Sequence, residues 1–136
     1  MSPASERIVY TPELANRALP LVRRIVDDIL RVGPALRQAQ ADLVGAELEG
    51  AKATSSPQIR ALEAELGEYF EELEQLGCSY KSWNYELGLV DFPAVIDGRE
   101  VFLCWRSDEE TVSHYHSETE GYAGRRKVPQ FIPDLP

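Results

Sequence analysis

The chain has 136 residues, with 14 Lys and Arg against 23 Asp and Glu, a formal net charge of −9. That length suits one domain with a real core and is short for two. The acidic balance repels phosphate backbones, so nucleic acid is not an expected partner, and no apolar run approaches the ~20 residues of a bilayer span.

The opening MSPASERIVYTPE lacks the basic and apolar regions of a signal peptide. Cys78 and Cys104 lie far apart with no CxxC spacing, so a cytoplasmic protein with reduced thiols is expected. The whole chain, 1–136, reads as one domain. A helical hairpin covers about 11–77, an antiparallel sheet about 79–117 and an extended tail about 121–136.

Thr11-Pro12 sets a capping side chain before a proline at the first helical position. Apolar residues then recur at Val22, Ile25, Ile29, Val32, Leu36, Ala39 and Leu43, one stripe along a long helix. Pro20 and Gly33-Pro34 are expected to bend that helix without ending it. The small, polar stretch from Gly45 to Ser56 reads as a flexible connection. Ser56-Pro57 repeats the start signal, and the stripe resumes through Ile59, Leu62, Leu66, Tyr69, Leu73 and Leu76, with Gly77 as a left-handed cap. The first helix is slightly basic and the second strongly acidic, so an antiparallel pairing brings Arg17, Arg23 and Arg24 towards Glu71, Glu72 and Glu74.

LVDFPAVI and REVFLCWR flank Asp97-Gly98, a type I′ hairpin signal. That turn sets Ile96 opposite Arg99, Ala94 opposite Val101, Phe92 opposite Leu103 and Val90 opposite Trp105, an apolar face for the helices. The other face carries Asp91 opposite Cys104. SDEE then leads into TVSHYH as a third strand, and the proline-rich KVPQFIPDLP is expected to be extended. The fold class predicted is α+β, a long antiparallel helical hairpin packed on a three- to four-stranded antiparallel meander.

The chemistry concentrates in SHYHSETEGYAGRRKV. His114 and His116, two residues apart on a strand, share a face and suit Zn²⁺ or Fe²⁺, with Glu118, Glu120, Cys104 or Asp91 completing the set. Which residues meet depends on the loop after Arg106. A four-residue loop sends both histidines to the apolar face with Val112, and a three- or five-residue loop sends them to the face of Cys104 and Asp91. The four-residue loop is the expectation, because it leaves Val112 in the core. HExxH and ExxH patterns are absent, which excludes a zincin or a carboxylate-bridged di-iron bundle. GYAGRR offers flexible backbone and two guanidinium forks for a small anion, or Arg125 and Arg126 serve as ion-pair partners. Asp91 is the first choice as partner of Arg125, with His116 making a structural hydrogen bond at the sheet's end.

GLVDFPA, DGREVFLCWR, the Tyr115-His116 pair, GYAGR and the opening YTPELANRALPLV together resemble a family of small bacterial proteins known as domain of unknown function 2203. The resemblance implies a single-domain bacterial cytosolic protein and names no reaction. His116 and Arg125 are the positions that fit the family pattern.

The reading favoured by the sequence is a non-enzymatic homodimeric interaction or scaffold module, dimerising through apolar helix surface at Leu14, Leu21, Val26 and Leu30. A protein partner fits this reading and a membrane does not. The alternative is a transition-metal- or small-anion-binding protein, enzyme or not. Its site lies near His116, Cys104, Asp91 and Arg125.

Overall fold

The computed structural model describes residues 8–50 and 56–129. Helix α1 runs Pro12–Leu48 and α2 runs Pro57–Gln75. The strands are β1 (Ser79–Tyr80), β2 (Leu89–Ile96), β3 (Arg99–Arg106), β4 (His114–Ser117) and β5 (Arg126–Lys127), with a 3-10 turn at Tyr122–Gly124. The five strands form one sheet in the order β1-β2-β3-β4-β5, every neighbouring pair antiparallel. The architecture is α+β with two strands of two residues added at the edges of the expected meander.

Both helix starts follow their sequence signals. Thr11 Oγ1 accepts from the Leu14 amide at 3.1 Å and Ser56 Oγ from the Ile59 amide at 3.2 Å, each before a proline. Helix α1 passes through Pro20 and Pro34 without a break and runs to Leu48, past the expected end at Gly45. The rest of the predicted connection, 51–55, lies outside the described residues. Gly33 proves to be a seat rather than a break. A side chain there would bring its Cβ within 2.3 Å of the Tyr85 ring.

Helix α2 ends in a Schellman motif: Gly77 adopts φ 81°, its amide donates to Glu74 O, and the Cys78 amide donates to Leu73 O. An ion pair between the helices joins Arg31 to Glu65, at 3.6 Å. Of Arg17, Arg23 and Arg24, expected near the terminal glutamates of α2, the first two are engaged elsewhere. Arg17 pairs with Glu13 in its own helix. Arg23 turns to the sheet, stacking over the Trp105 ring and donating to the carbonyls of Glu109 and Glu110.

The β2–β3 register is the one the Asp97-Gly98 turn dictates, with φ of 52° and 73° at the two turn residues. Val90, Phe92, Ala94, Ile96, Val101, Leu103 and Trp105 all point into the core beneath the helices. Gly88 lets α1 approach, since a Cβ there would lie 2.4 Å from Val26 Cγ1. Val26 is accordingly buried and Leu30 is packed against the core, so neither is free dimer surface, whereas Leu14 and Leu21 remain 45% exposed.

The loop after β3 differs from expectation and decides the position of the site. Cys104 pairs with His114 and Phe102 with His116. This register puts five residues, 107–111, between Arg106 and Val112. The predicted four-residue loop rested on Val112 needing a core-facing strand position. Val112 is buried, but as part of the loop end. Asn16 of α1 clamps it, accepting from its amide at 2.7 Å and donating to its carbonyl at 3.1 Å. Trp105 Nε1 donates to Glu109 O at 2.9 Å from inside the same loop. With that parity both histidines face away from the helices.

Candidate metal centre

The outer face of the sheet would ordinarily meet water on a sheet covered on one side. Here Asp91 is 4% exposed, Cys104 1% and His116 4%. Asp91 on β2 lies directly opposite Cys104 on β3. His116 on β4 lies one diagonal step away, its ring 5.7 Å from that of Phe102. Period-two alternation turns all three side chains to the same side. The chain from Glu118 to Tyr122 walls the space above them. The resulting pocket of 260 Å³ is also lined by Lys81, Leu89 and Phe102.

One Asp91 oxygen, Cys104 Sγ and a His116 ring nitrogen all lie within 4.8 Å of one another. Ligands about 2.0–2.3 Å from a tetrahedral ion are separated by roughly 3.3–3.8 Å. The three atoms therefore stand near the spacing that one ion requires.

The histidine orientation adds to the distances. His116 Nδ1 sits 2.7 Å from the Ser117 carbonyl, which only accepts, so Nδ1 carries a proton. Nε2 then faces both oxygens of Asp91, each at 3.1 Å. In a neutral ring Nε2 presents a lone pair to a carboxylate. The 3.1 Å separation is that of a hydrogen bond, which a proton between the two atoms supplies, whereas a shared metal ion would hold them slightly further apart. A protonated Nδ1 bonded to a backbone carbonyl is also the outer-shell arrangement that orients a metal-ligating Nε2.

The same geometry argues against a cysteine nucleophile. A triad needs one ring nitrogen for the thiol and the other for the acid. Here Nδ1 is engaged by the backbone and Nε2 faces the acid. Burial, reinforced by the charge of Asp91, pushes the Cys104 thiol up to about 11 against the opposing pull of Arg125. A thiol held there is inert until a metal displaces its proton.

Arg125 does not return to Asp91. It grips Glu109 in a two-pronged pair, at 3.0 Å and 2.8 Å, with side chains 12% and 14% exposed, and also donates to the Cys104 carbonyl at 3.0 Å. Arg125 stands over the Tyr122 ring, and Arg106 donates to the Tyr122 hydroxyl. These contacts fasten the tail over the pocket. Nothing in SDEE marked Glu109 as that partner, because the loop parity placing it there was not legible.

His114 is directly opposite Cys104 but turns away, to Glu109 Oε2 at 3.4 Å and Ser113 Oγ at 3.1 Å. Burial and the nearby Arg125 hold its pKa below the usual histidine value. Glu118 lines the pocket without joining the three-residue cluster. Glu120 pairs with Arg126 at 3.2 Å on the surface. Of the predicted candidates, the structure therefore gathers Asp91, Cys104 and His116, and leaves His114, Glu118, Glu120, Arg125 and Arg126 outside that cluster.

The family model described as an uncharacterized conserved protein, DUF2203, matches residues 8–128. The chain belongs to this family. No curated protein and no solved structure matches the chain. The DUF2203 match spans Asp91, Cys104 and His116, both helices and the Arg125–Glu109 fastening. No helix among the described residues is long and apolar enough to cross a membrane.

Proposed function

We propose that this DUF2203 protein binds one divalent transition-metal ion through Asp91, Cys104 and His116, with Zn²⁺ the first choice and Fe²⁺ the second. The observation that carries the reading is the buried convergence of an Asp91 oxygen, Cys104 Sγ and a His116 ring nitrogen, all within 4.8 Å of one another. An oxygen, a sulfur and a nitrogen donor suit a borderline ion better than Mg²⁺ or Ca²⁺. Three protein ligands leave a fourth position open, as in ligand-binding and catalytic zinc sites rather than closed structural ones. Metal binding of this kind needs the Cys104 thiol reduced, which fits a cytoplasmic protein.

The test is elemental analysis of protein purified without an affinity tag, before and after incubation with Zn²⁺ or Fe²⁺. One ion per chain is expected, lost in His116→Ala and in Cys104→Ser while the circular dichroism spectrum is kept. Protein that takes up no stoichiometric metal, and whose melting temperature ignores added Zn²⁺, would leave a proton bridging His116 and Asp91. The cluster would then be structural.

The dimeric scaffold reading retains one observation, the exposure of Leu14 and Leu21 seven residues apart on one face of α1. A 15 kDa species in sedimentation at micromolar concentration would remove it.

A further inference from the structure

The walls of the metal pocket are more specific than its floor. Lys81 and Glu118 both line its rim, where both are exposed to water, and among the described residues neither side chain has an ion-pair or hydrogen-bond partner. They stand on opposite flanks. Lys81 directly follows β1, where its amide donates to Leu89 O at 2.8 Å, and Glu118 directly follows β4. In both cases the alternation of the preceding strand turns the side chain to the outer face. Leu89, Phe102 and Tyr122 contribute apolar surface to the same space.

A divalent ion held by the carboxylate of Asp91 and the thiolate of Cys104 is neutral as a unit. The pocket then presents a Lewis acid on its floor, an ammonium on one side, a carboxylate on the other and apolar walls. A phosphate or dicarboxylate would meet Glu118 as a like charge, and a simple ammonium would leave Lys81 without an acceptor and the metal without an anionic ligand. A ligand carrying both charges satisfies every group.

We propose, resting on the metal reading above, that the site binds an apolar α-amino acid. Its carboxylate takes the open metal position beside Lys81, and its ammonium pairs with Glu118. Its side chain lies against Leu89, Phe102 and Tyr122. Coordination displaces one water from the ion and forms no covalent bond to the protein.

The test uses the full chain loaded with Co²⁺, whose visible bands report the ligands around the ion. L-leucine is titrated against 4-methylpentanoate, which lacks the ammonium, isoamylamine, which lacks the carboxylate, and inorganic phosphate, with cobalt content measured after each titration. Leucine is expected to shift the bands saturably and bind about tenfold or more tighter than 4-methylpentanoate, as a charged hydrogen bond warrants. Glu118→Gln should erase that preference. Lys81→Ala should weaken both acids by about tenfold with cobalt content unchanged. Bands that ignore leucine, or phosphate or 4-methylpentanoate binding as tightly as leucine, would overturn the proposal while the metal reading stands. Absence of cobalt bands altogether would instead sink the metal reading on which it rests.

Discussion

Replacing Arg125 with alanine removes the fastening of the tail. Its guanidinium makes two parallel bonds to Glu109 with both side chains mostly sheltered from water. Loss of one partner leaves Glu109 sheltered and facing only the Arg106 amide at 2.8 Å and the largely neutral His114. Breaking a buried pair costs about 3–5 kcal/mol, and the residual exposure here argues for the lower end, about 3 kcal/mol. Unfolding 136 residues carries an entropy of about 0.29 kcal/mol/K, so the melting temperature should fall by about 10 °C. Calorimetry in the presence of a chelator isolates this effect from metal binding. Combining Arg125→Ala with Glu109→Gln should cost less than the sum of the two by about 1 kcal/mol or more, since neither mutation then strands a charge. A loss under about 1 kcal/mol for Arg125→Ala would refute the reasoning, because pairs that weak are exposed to solvent.

Gly88→Ala should destabilise by about 1–3 kcal/mol, read by denaturant midpoint, because its Cβ would collide with Val26 where α1 lies on the sheet. An unchanged midpoint would mean that the helix lifts away freely. Asn16→Ala removes both bonds to the Val112 backbone and should cost about 1–3 kcal/mol. Hydrogen exchange at the Val112 amide should rise more than exchange in β2. Acid should weaken the fold in two windows. The His114 pKa is lowered in the folded state by burial and Arg125, so the unfolded chain takes that proton first and stability declines as pH falls below about 6.5. Burial opposes ionisation of Glu109, but Arg125 and the Arg106 amide outweigh it and hold its pKa below normal. Its contribution is complete above about pH 4.5 and disappears as pH falls through the folded value. Melting temperature against pH should show both declines, and His114→Gln should flatten the upper one. An unaltered upper decline in that variant would assign it to another group.

The helices and the β2–β3 hairpin were legible because their determinants are local. Thr11-Pro12, Ser56-Pro57, Gly77 and Asp97-Gly98 each specify a backbone geometry within a few residues, and the apolar stripes follow from it. Asp91 opposite Cys104 was therefore readable before any coordinates. The β3–β4 register was not. Its parity depends on a loop shaped by Asn16 and Arg23, which lie about ninety residues earlier and reach across from α1. Nothing near SDEE records their presence. The same error displaced the partner of Arg125, since Glu109 enters its reach only with the longer loop.

The centre thus depends on two registers held by different means. The type I′ turn fixes Asp91 against Cys104, and the Asn16 clamp on Val112 fixes Cys104 against His114, and with it His116 on the same side. A slip of one residue in either ladder would send one of the proposed ligands to the core face, where Phe92, Leu103 and Trp105 leave no room for a polar group. The hydrophobic core therefore holds the polar centre in place from the opposite side of the sheet. The tail completes it, because the segment from Glu118 to Arg125, fastened through Glu109, converts an open sheet face into a pocket that shelters Asp91, Cys104 and His116, the proposed ligands, from water.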